Sequence, residues 1–274
     1  MILTIIEHGL PLDEVVFYDT GMEFQALYNV RDAVLPLLRK NGIRYIELHP
    51  DRPFLYDMLE RPVKGRERRG YGWCGGLCRW GTTCKLKALD RYAESIGAKV
   101  YVGIAADEPA RIKDEIYPLV EWGITEAQAL KICYDRGFDW NGLYEIYHRC
   151  SCWCCPFQRI GELKNLRCYH PELWARLREL DKRALDQFGH SALGRFKDNW
   201  NVEQLEHRFA AEDAARKEAE MKKDKSEEIR DMFKGVPPKN VIIAVDDLPP
   251  KTLEQHIQER KAREQKPKKR GKSR

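Results

Sequence analysis

The chain has 274 residues, 43% of them apolar and 10% aromatic, enough to bury a substantial core in one large or two modest domains. No run approaches the roughly 18 to 20 uninterrupted apolar residues that span a bilayer as a helix, and the opening MILTIIEHGLPLDE has neither a basic start nor a small-residue cleavage site, so the reading expects a cytoplasmic protein with no membrane partner. The formal charge of +5 is uneven: residues 251–274 carry ten Lys/Arg against three Glu, a net of +7, which leaves about −2 for the rest.

In chain order, DEVVFYDTG (13–21) reads as a short apolar strand ending in a turn, VRDAVLPLLRKNG (30–42) as an amphipathic helix closed by Gly, and IRYIELHP (43–50) as a second strand stopped by Pro. Residues 61–84 are rich in Gly and Arg and lack periodicity, which predicts a functional loop. CKLKALDRYAESIGA (84–98) restores the helical pattern, and KVYVGIAADEPAR (99–111) reads as strand plus turn. Strand, helix, strand, helix, strand with short joins predicts an α/β fold, a parallel sheet flanked by helices.

ITEAQALKICYDRG (124–137) carries a Thr125/Gln128 capping box, apolar positions Leu130, Cys133 and Tyr134, and a closing Gly137, which makes Cys133 a core residue. In HPELWARLRELDKRALDQFG (170–189), Pro171 lies in the first turn, Leu173, Leu177, Leu180, Ala184 and Phe188 share one face, and Gly189 stops the helix. Residues 201–235 predict a highly charged helix. Residues 236–274 predict a linker, with the apolar stretch PPKNVIIAVDDLPP, and a basic disordered tail. The expected domains are therefore 1–200, 201–235 and 236–274. The tail offers nucleic acid a basic surface, but no aromatic residues are interleaved for stacking.

In open parallel sheets, ligands sit beyond the carboxyl ends of the strands. Two ends qualify: Asp19, Thr20 and Gly21 after VVFY, and Asp107, Glu108 and Arg111 after VYVGIA. Acidic groups there suit a ribose, metal or amino group, and Arg a phosphate or sulfate. An Asx-type turn and an ordinary helix start account for the same residue types.

Nine cysteines are an odd count in a long chain and cluster locally, which argues for metal or redox chemistry over a disulfide scaffold. RCSCWCCPF (149–157) holds Cys152 and Cys155 at C-x-x-C spacing with Pro156 ending the turn, and WCGGLC (73–78) supplies Cys74 and Cys78 around two glycines. Four thiolates from two loops suit a tetrahedral zinc or a four-iron cluster. Cys84, Cys150, Cys154 and Cys168 are alternative ligands, and buried unliganded thiols are the competing explanation. Lys64, Arg66, Arg68, Arg69 and Arg79 crowd the first pair, with Trp73 and Trp80 among them, which suits an anionic ligand with a stacking base or a basic loop pinned by two rings.

Together VVFYDTGMEF, GIAADEPAR, YPLVEWGITEAQALKICYDRGFDWNGLYE and CWCCPFQRIGELKNL resemble the phosphoadenosine phosphosulfate (PAPS) reductase-like family of the adenine-nucleotide alpha-hydrolase superfamily, from Met1 to about residue 190. The resemblance implies a helix-flanked parallel sheet, an adenine nucleotide (ATP or PAPS) bound by Asp19, Thr20, Gly21, Asp107, Glu108 and Arg111, and sulfonucleotide reduction or ATP-dependent sulfur transfer. It favours an iron-sulfur cluster over zinc at Cys74, Cys78, Cys152 and Cys155, and a thiol or electron-donor protein as partner. The family's Ser-Gly-Gly-Lys-Asp-Ser type phosphate loop is not found in this sequence, so the reading expects an N-terminally truncated sheet and weakened nucleotide binding. The Glu-Cys-Gly-Leu-His type motif of thioredoxin-coupled members is also missing. The alternative function is a catalytically impaired, metal-stapled nucleic-acid-binding or accessory protein.

Overall fold

The structure, a computed structural model, describes residues 1–76, 78–197, 200–232 and 234. Two compact units divide the chain, Met1–Asp213 and Ala214–Arg274. The first is an α/β unit made mostly of helices around a small parallel sheet. Its elements run α1 (Ile2–Glu7), β1 (Glu14–Tyr18), α2 (Gln25–Lys40), β2 (Arg44–Leu48), α3 (Lys85–Ser95), α4 (Pro118–Glu121), α5 (Glu126–Asp135), α6 (Leu143–Ile146), α7 (Ile160–Tyr169) and α8 (Pro171–Phe188). The last helix, α9 (Val202–Met232), begins in this unit and ends in the second.

The sheet is a single βαβ unit. EVVFY and RYIEL are built of β-branched and aromatic residues that favour extended backbone, and α2 makes the crossover that parallel strands require. Glu14 pairs with Arg44 and Tyr18 with Leu48, and the Asp19 N–H continues the ladder to the Leu48 carbonyl at 2.9 Å. This register brings Asp19 and His49 out side by side at the same end of the sheet.

KVYVGIA differs from its expected strand. It forms one parallel bridge, Tyr101 with Ile116, and Val102 N–H donates to the Ile116 carbonyl at 2.9 Å. A ladder needs a neighbouring strand along its length, and Gly103 supplies no side chain to pack in the middle of the segment. The segment then turns, with the Ala106 N–H on the Ile124 carbonyl at 2.9 Å. Among the described residues the named strands form a two-stranded sheet, smaller than the alternation of the sequence implies. The loop of residues 61–84 also has more structure than expected. It contains a Pro62–Arg69 antiparallel bridge, and a π-helical turn, Arg79–Cys84, that runs directly into α3.

The core lies beneath the cysteine loops. Trp73 and Trp153 are buried with Leu163, Leu166, Leu177 and Phe209 in one cluster that joins both loops to α7, α8 and the start of α9. Each large ring withdraws roughly 150–250 Å² from water, on the order of 4–6 kcal/mol before entropy costs. On α8, Leu177, Leu180 and Ala184 are buried as the periodicity requires, Leu173 and Phe188 pack partly buried at its edge, and Trp174 and Asp181 join them inside. The capping box of α5 forms as its spacing demands: Thr125 Oγ1 accepts the Gln128 N–H at 3.3 Å and Gln128 Oε1 accepts the Thr125 N–H at 2.9 Å.

α9 buries Val202, Leu205 and Phe209 near its start. In the second unit it is exposed and carries i,i+4 ion pairs such as Glu218–Lys222 at 2.6 Å. The expected PPKNVIIAVDDLPP stretch and the basic tail lie outside the described residues. Among those described, no helix is long and apolar enough to cross a membrane.

Candidate metal centre and adjoining cavities

The Cys152–Cys155 knuckle is fixed from several sides. The Cys155 N–H closes the turn on the Cys152 carbonyl at 3.0 Å, and the Trp153 N–H donates to the Met22 carbonyl at 3.0 Å, tying the knuckle to the loop after β1. Buried Gln158 donates its amide to the Cys152 carbonyl at 3.0 Å. Lys197 Nζ donates to the carbonyls of Pro156 at 2.9 Å and Gln158 at 2.6 Å. The sulfurs are held as well: Cys152 Sγ donates to Glu23 Oε1 at 3.8 Å, and Cys155 is hydrogen-bonded to the Phe157 backbone and to Ser151.

The first loop is held as firmly. Gly72 has φ +63°, and a Cβ there would run into the Leu193 carbonyl oxygen, so only glycine fits. The next residue, Trp73, donates its backbone N–H to Leu193 at 2.8 Å and its indole N–H to Asp181 Oδ1 at 2.9 Å. Cys74 and Cys78 are hydrogen-bonded to each other. Cys78 caps the π-helical turn, its sulfur accepting the Gly81 N–H at 3.1 Å. The bond from Cys74 and the N–H groups of Gly81, Trp80 and Thr82 lower the Cys78 thiol pKa, while its partner Cys74 is raised.

One thiol from each pair, Cys78 and Cys152, flanks Gly81. A Cβ on Gly81 would lie 3.6 Å from the Cys78 sulfur and 3.9 Å from the Cys152 sulfur, so the missing side chain leaves a gap flanked by thiols from both loops. Negative charge on Cys78 is felt at Cys152 and Cys155. Burial, then the Glu23 carboxylate, push Cys152 up to about 12, and burial raises Cys155. A thiol in this setting stays protonated until a metal ion displaces its proton, which is released to water.

The other cysteines are placed differently. Cys154 is buried in the core, and burial raises its thiol far above the usual value. Cys150 is hydrogen-bonded to Tyr144 and raised to about 11, chiefly by burial. Cys84 ends the π-helical turn near Tyr18 and Arg61. Cys168 is exposed on α7, and Cys133 is half-buried in α5.

Thr20 links the thiols to the end of β1. Its hydroxyl donates to Glu23 Oε1 at 2.9 Å, accepts the Met22 N–H at 3.2 Å and lies 3.7 Å from the Cys152 sulfur. A cavity of about 370 Å³ opens there, lined by Asp19, Thr20, Gly21, His49, Phe54 and Arg176 among others. A second cavity, of about 180 Å³, lies against Cys74 and is walled by Phe54, Tyr71, Trp73, Trp80 and Arg79. Arg79 stacks 3.8 Å over the Tyr71 ring. Of the other basic loop residues, Arg69 donates to the Glu60 carbonyl at 2.8 Å, Arg68 is half-buried with Nε and Nη1 lacking partners among the described residues, and Lys64 and Arg66 are exposed. Trp73 and Trp80 are buried rings that pin the loop, against Phe196 and Phe54 respectively.

Asp107, Glu108 and Arg111 do not line either cavity. Asp107 Oδ1 accepts the Glu126 N–H at 2.9 Å at the start of α5, and Glu108 pairs with Arg111 at 2.6 Å. These groups are spent on the turn and the helix end. The structure instead brings Glu47 and His49, at the end of β2, beside Asp19. The alternation in YIELHP places them on one face, but the reading of the sequence took that segment only as a strand and its stop.

No family model and no solved structure matches the sequence. The chain is similar to the uncharacterized protein MJ0066 of Methanocaldococcus jannaschii, 27% identical over 200 residues that cover 64% of this chain and 37% of that protein. The chain thus spans about 37% of the length of the curated relative it matches.

Proposed function

We propose that the protein acts on an adenine nucleotide or sulfonucleotide in sulfur chemistry, by sulfonucleotide reduction or ATP-dependent sulfur transfer. In this reading Cys74, Cys78, Cys152 and Cys155 hold an iron-sulfur cluster. The observation that carries it is the approach of Cys78 and Cys152, one from each cysteine loop and distant in sequence, to the two sides of Gly81, with Cys152 next to Thr20 at the end of β1. An all-sulfur donor set suits a thiophilic metal. A tetrahedral zinc, with Zn–S of about 2.3 Å, draws its sulfurs to about 3.8 Å apart. Among the described residues no three of the cysteine sulfurs lie within 4.8 Å of one another, so the choice of a cluster over zinc rests on the family resemblance.

A cluster supplies electrons or a sulfur-binding iron when bound. The chain's own residues do the rest. Arg79 and Arg176, one at each cavity, are placed to hold the anionic groups of a nucleotide. Buried Trp73, Trp80 and Trp153 keep water from the thiols. Asp19, Thr20 and Gly21 supply the polar wall of the larger cavity.

The test is anaerobic reconstitution with iron and sulfide, then calorimetry with ATP and PAPS. The expected result is a brown protein absorbing near ~400 nm, lost in Cys152→Ser, that binds one of the two nucleotides. Colourless protein with stoichiometric zinc removes the cluster. Metal-loaded protein that ignores both nucleotides but binds single-stranded nucleic acid replaces this reading with that of an accessory protein.

A further inference from the structure

We propose that Asp19, Glu47 and His49 form a second metal site, taking a divalent cation through oxygen and nitrogen, chemically distinct from the thiols; it shares Asp19 with the proposed nucleotide cavity but binds its ion whether or not a nucleotide enters. One ligand atom from each of the three residues lies within 4.8 Å of the other two. Their convergence follows from strand register. Phe17 pairs with Glu47 and Tyr18 with Leu48, so Asp19 emerges beside His49, and Glu47 and His49 share one face of β2 by the two-residue period.

Each carboxylate is oriented from behind. Asp19 Oδ1 accepts the Gly21 N–H and the Tyr28 hydroxyl, both at 2.7 Å. Glu47 Oε2 accepts the Tyr45 hydroxyl at 2.6 Å and Arg31 at 3.2 Å. The opposite oxygens face the imidazole: Asp19 Oδ2 is 3.9 Å from His49 Nδ1 and Glu47 Oε1 is 3.2 Å from His49 Nε2. Outer hydrogen bonds that fix one carboxylate oxygen and present the other are the arrangement that tunes metal ligands. Two carboxylates directed at one imidazole concentrate negative charge and lone pairs where a cation relieves both.

Asp19 and His49 also line the cavity of about 370 Å³ that holds Arg176. Three protein ligands leave places on a six-coordinate ion for water or for an oxyanion entering that cavity. Two carboxylates with one imidazole suit Mn²⁺ among the available divalent ions, and Mn²⁺ has little affinity for the nearby thiols.

The probe is Mn²⁺ alone, titrated into the full chain and followed by electron paramagnetic resonance and calorimetry. The thiol-bound metal is quantified in the same samples, so that failure of either site is seen separately. The expected result is one Mn²⁺ per chain, with affinity reduced at least ~10-fold in His49→Gln and in Asp19→Asn, and roughly 10-fold in Tyr45→Phe through lost orientation of Glu47. His49 is 59% exposed, so its variant leaves packing intact. Absence of Mn²⁺ binding at millimolar concentration, or wild-type affinity in both His49→Gln and Asp19→Asn, overturns the proposal.

Discussion

Asp181 sits on the apolar face of α8, where a charge is expensive, yet it accepts the Trp73 indole N–H at 2.9 Å and the Val202 backbone N–H at 2.6 Å. Burial dominates these bonds and raises its pKa from 3.8 to about 6. The folded state therefore holds a proton that the unfolded state has released between these values. This contribution to stability is fully present below the unfolded pKa and is lost as pH rises through about 6. The difference corresponds to on the order of 3 kcal/mol. Asp181→Asn cannot titrate, so the stability of the wild type relative to the variant should fall by about that amount between acidic and neutral pH. Parallel curves in urea unfolding across that range would contradict the assignment. The residue matters to the site because its indole partner precedes Cys74.

At the scale of elements, the start of α5 shows how a residue with the chemistry of a ligand is used for structure. Asp107 accepts the Glu126 N–H, while Thr125 and Gln128 satisfy each other, so the first turn of the helix is capped twice. Asp107→Ala should cost roughly 0.5–2 kcal/mol, the range for lost caps, and leave any affinity for ATP or PAPS at the proposed site within about twofold, since Asp107 lines neither of the two cavities described. A tenfold loss of affinity at unchanged stability would return Asp107 to the ligand site. The contrast with Asp19 is one of register: Asp19 ends a strand paired with β2 beneath a cavity, and Asp107 follows a segment with a single bridge.

Across the first unit as a whole, both cysteine loops are wedged by Trp73 and Trp153 into one core with α7, α8 and the start of α9. A metal shared by Cys78 and Cys152 would close a loop of roughly 75 residues, and such a cross-link restricts the unfolded chain by about 4 kcal/mol. Metal-loaded protein should therefore unfold at higher denaturant than chelated protein by several kcal/mol. Cys152→Ser should abolish the difference, and Cys168→Ser, on an exposed part of α7, should preserve it. Equal stability with and without metal would mean that the thiols share no ion.

Local patterns in the sequence were sufficient for βαβ, for the capped α5, for the stripe and stop of α8 and for the charged α9, because each depends on neighbours within a few residues. They also pointed to Cys152 and Cys155 by C-x-x-C spacing and to Cys74 and Cys78 by the two glycines between them, with Cys84, Cys150, Cys154 and Cys168 left as alternatives. Pairing and proximity are different matters. Whether KVYVGIA became a strand depended on a partner along its length, and whether Asp107 faced a ligand depended on where α5 begins. Only the tertiary structure set Glu47 and His49 beside Asp19, buried Asp181 against Trp73 and brought Cys78 and Cys152 to the two sides of Gly81. These contacts join residues far apart in the chain, so strand register and core packing decide them and no short stretch encodes them.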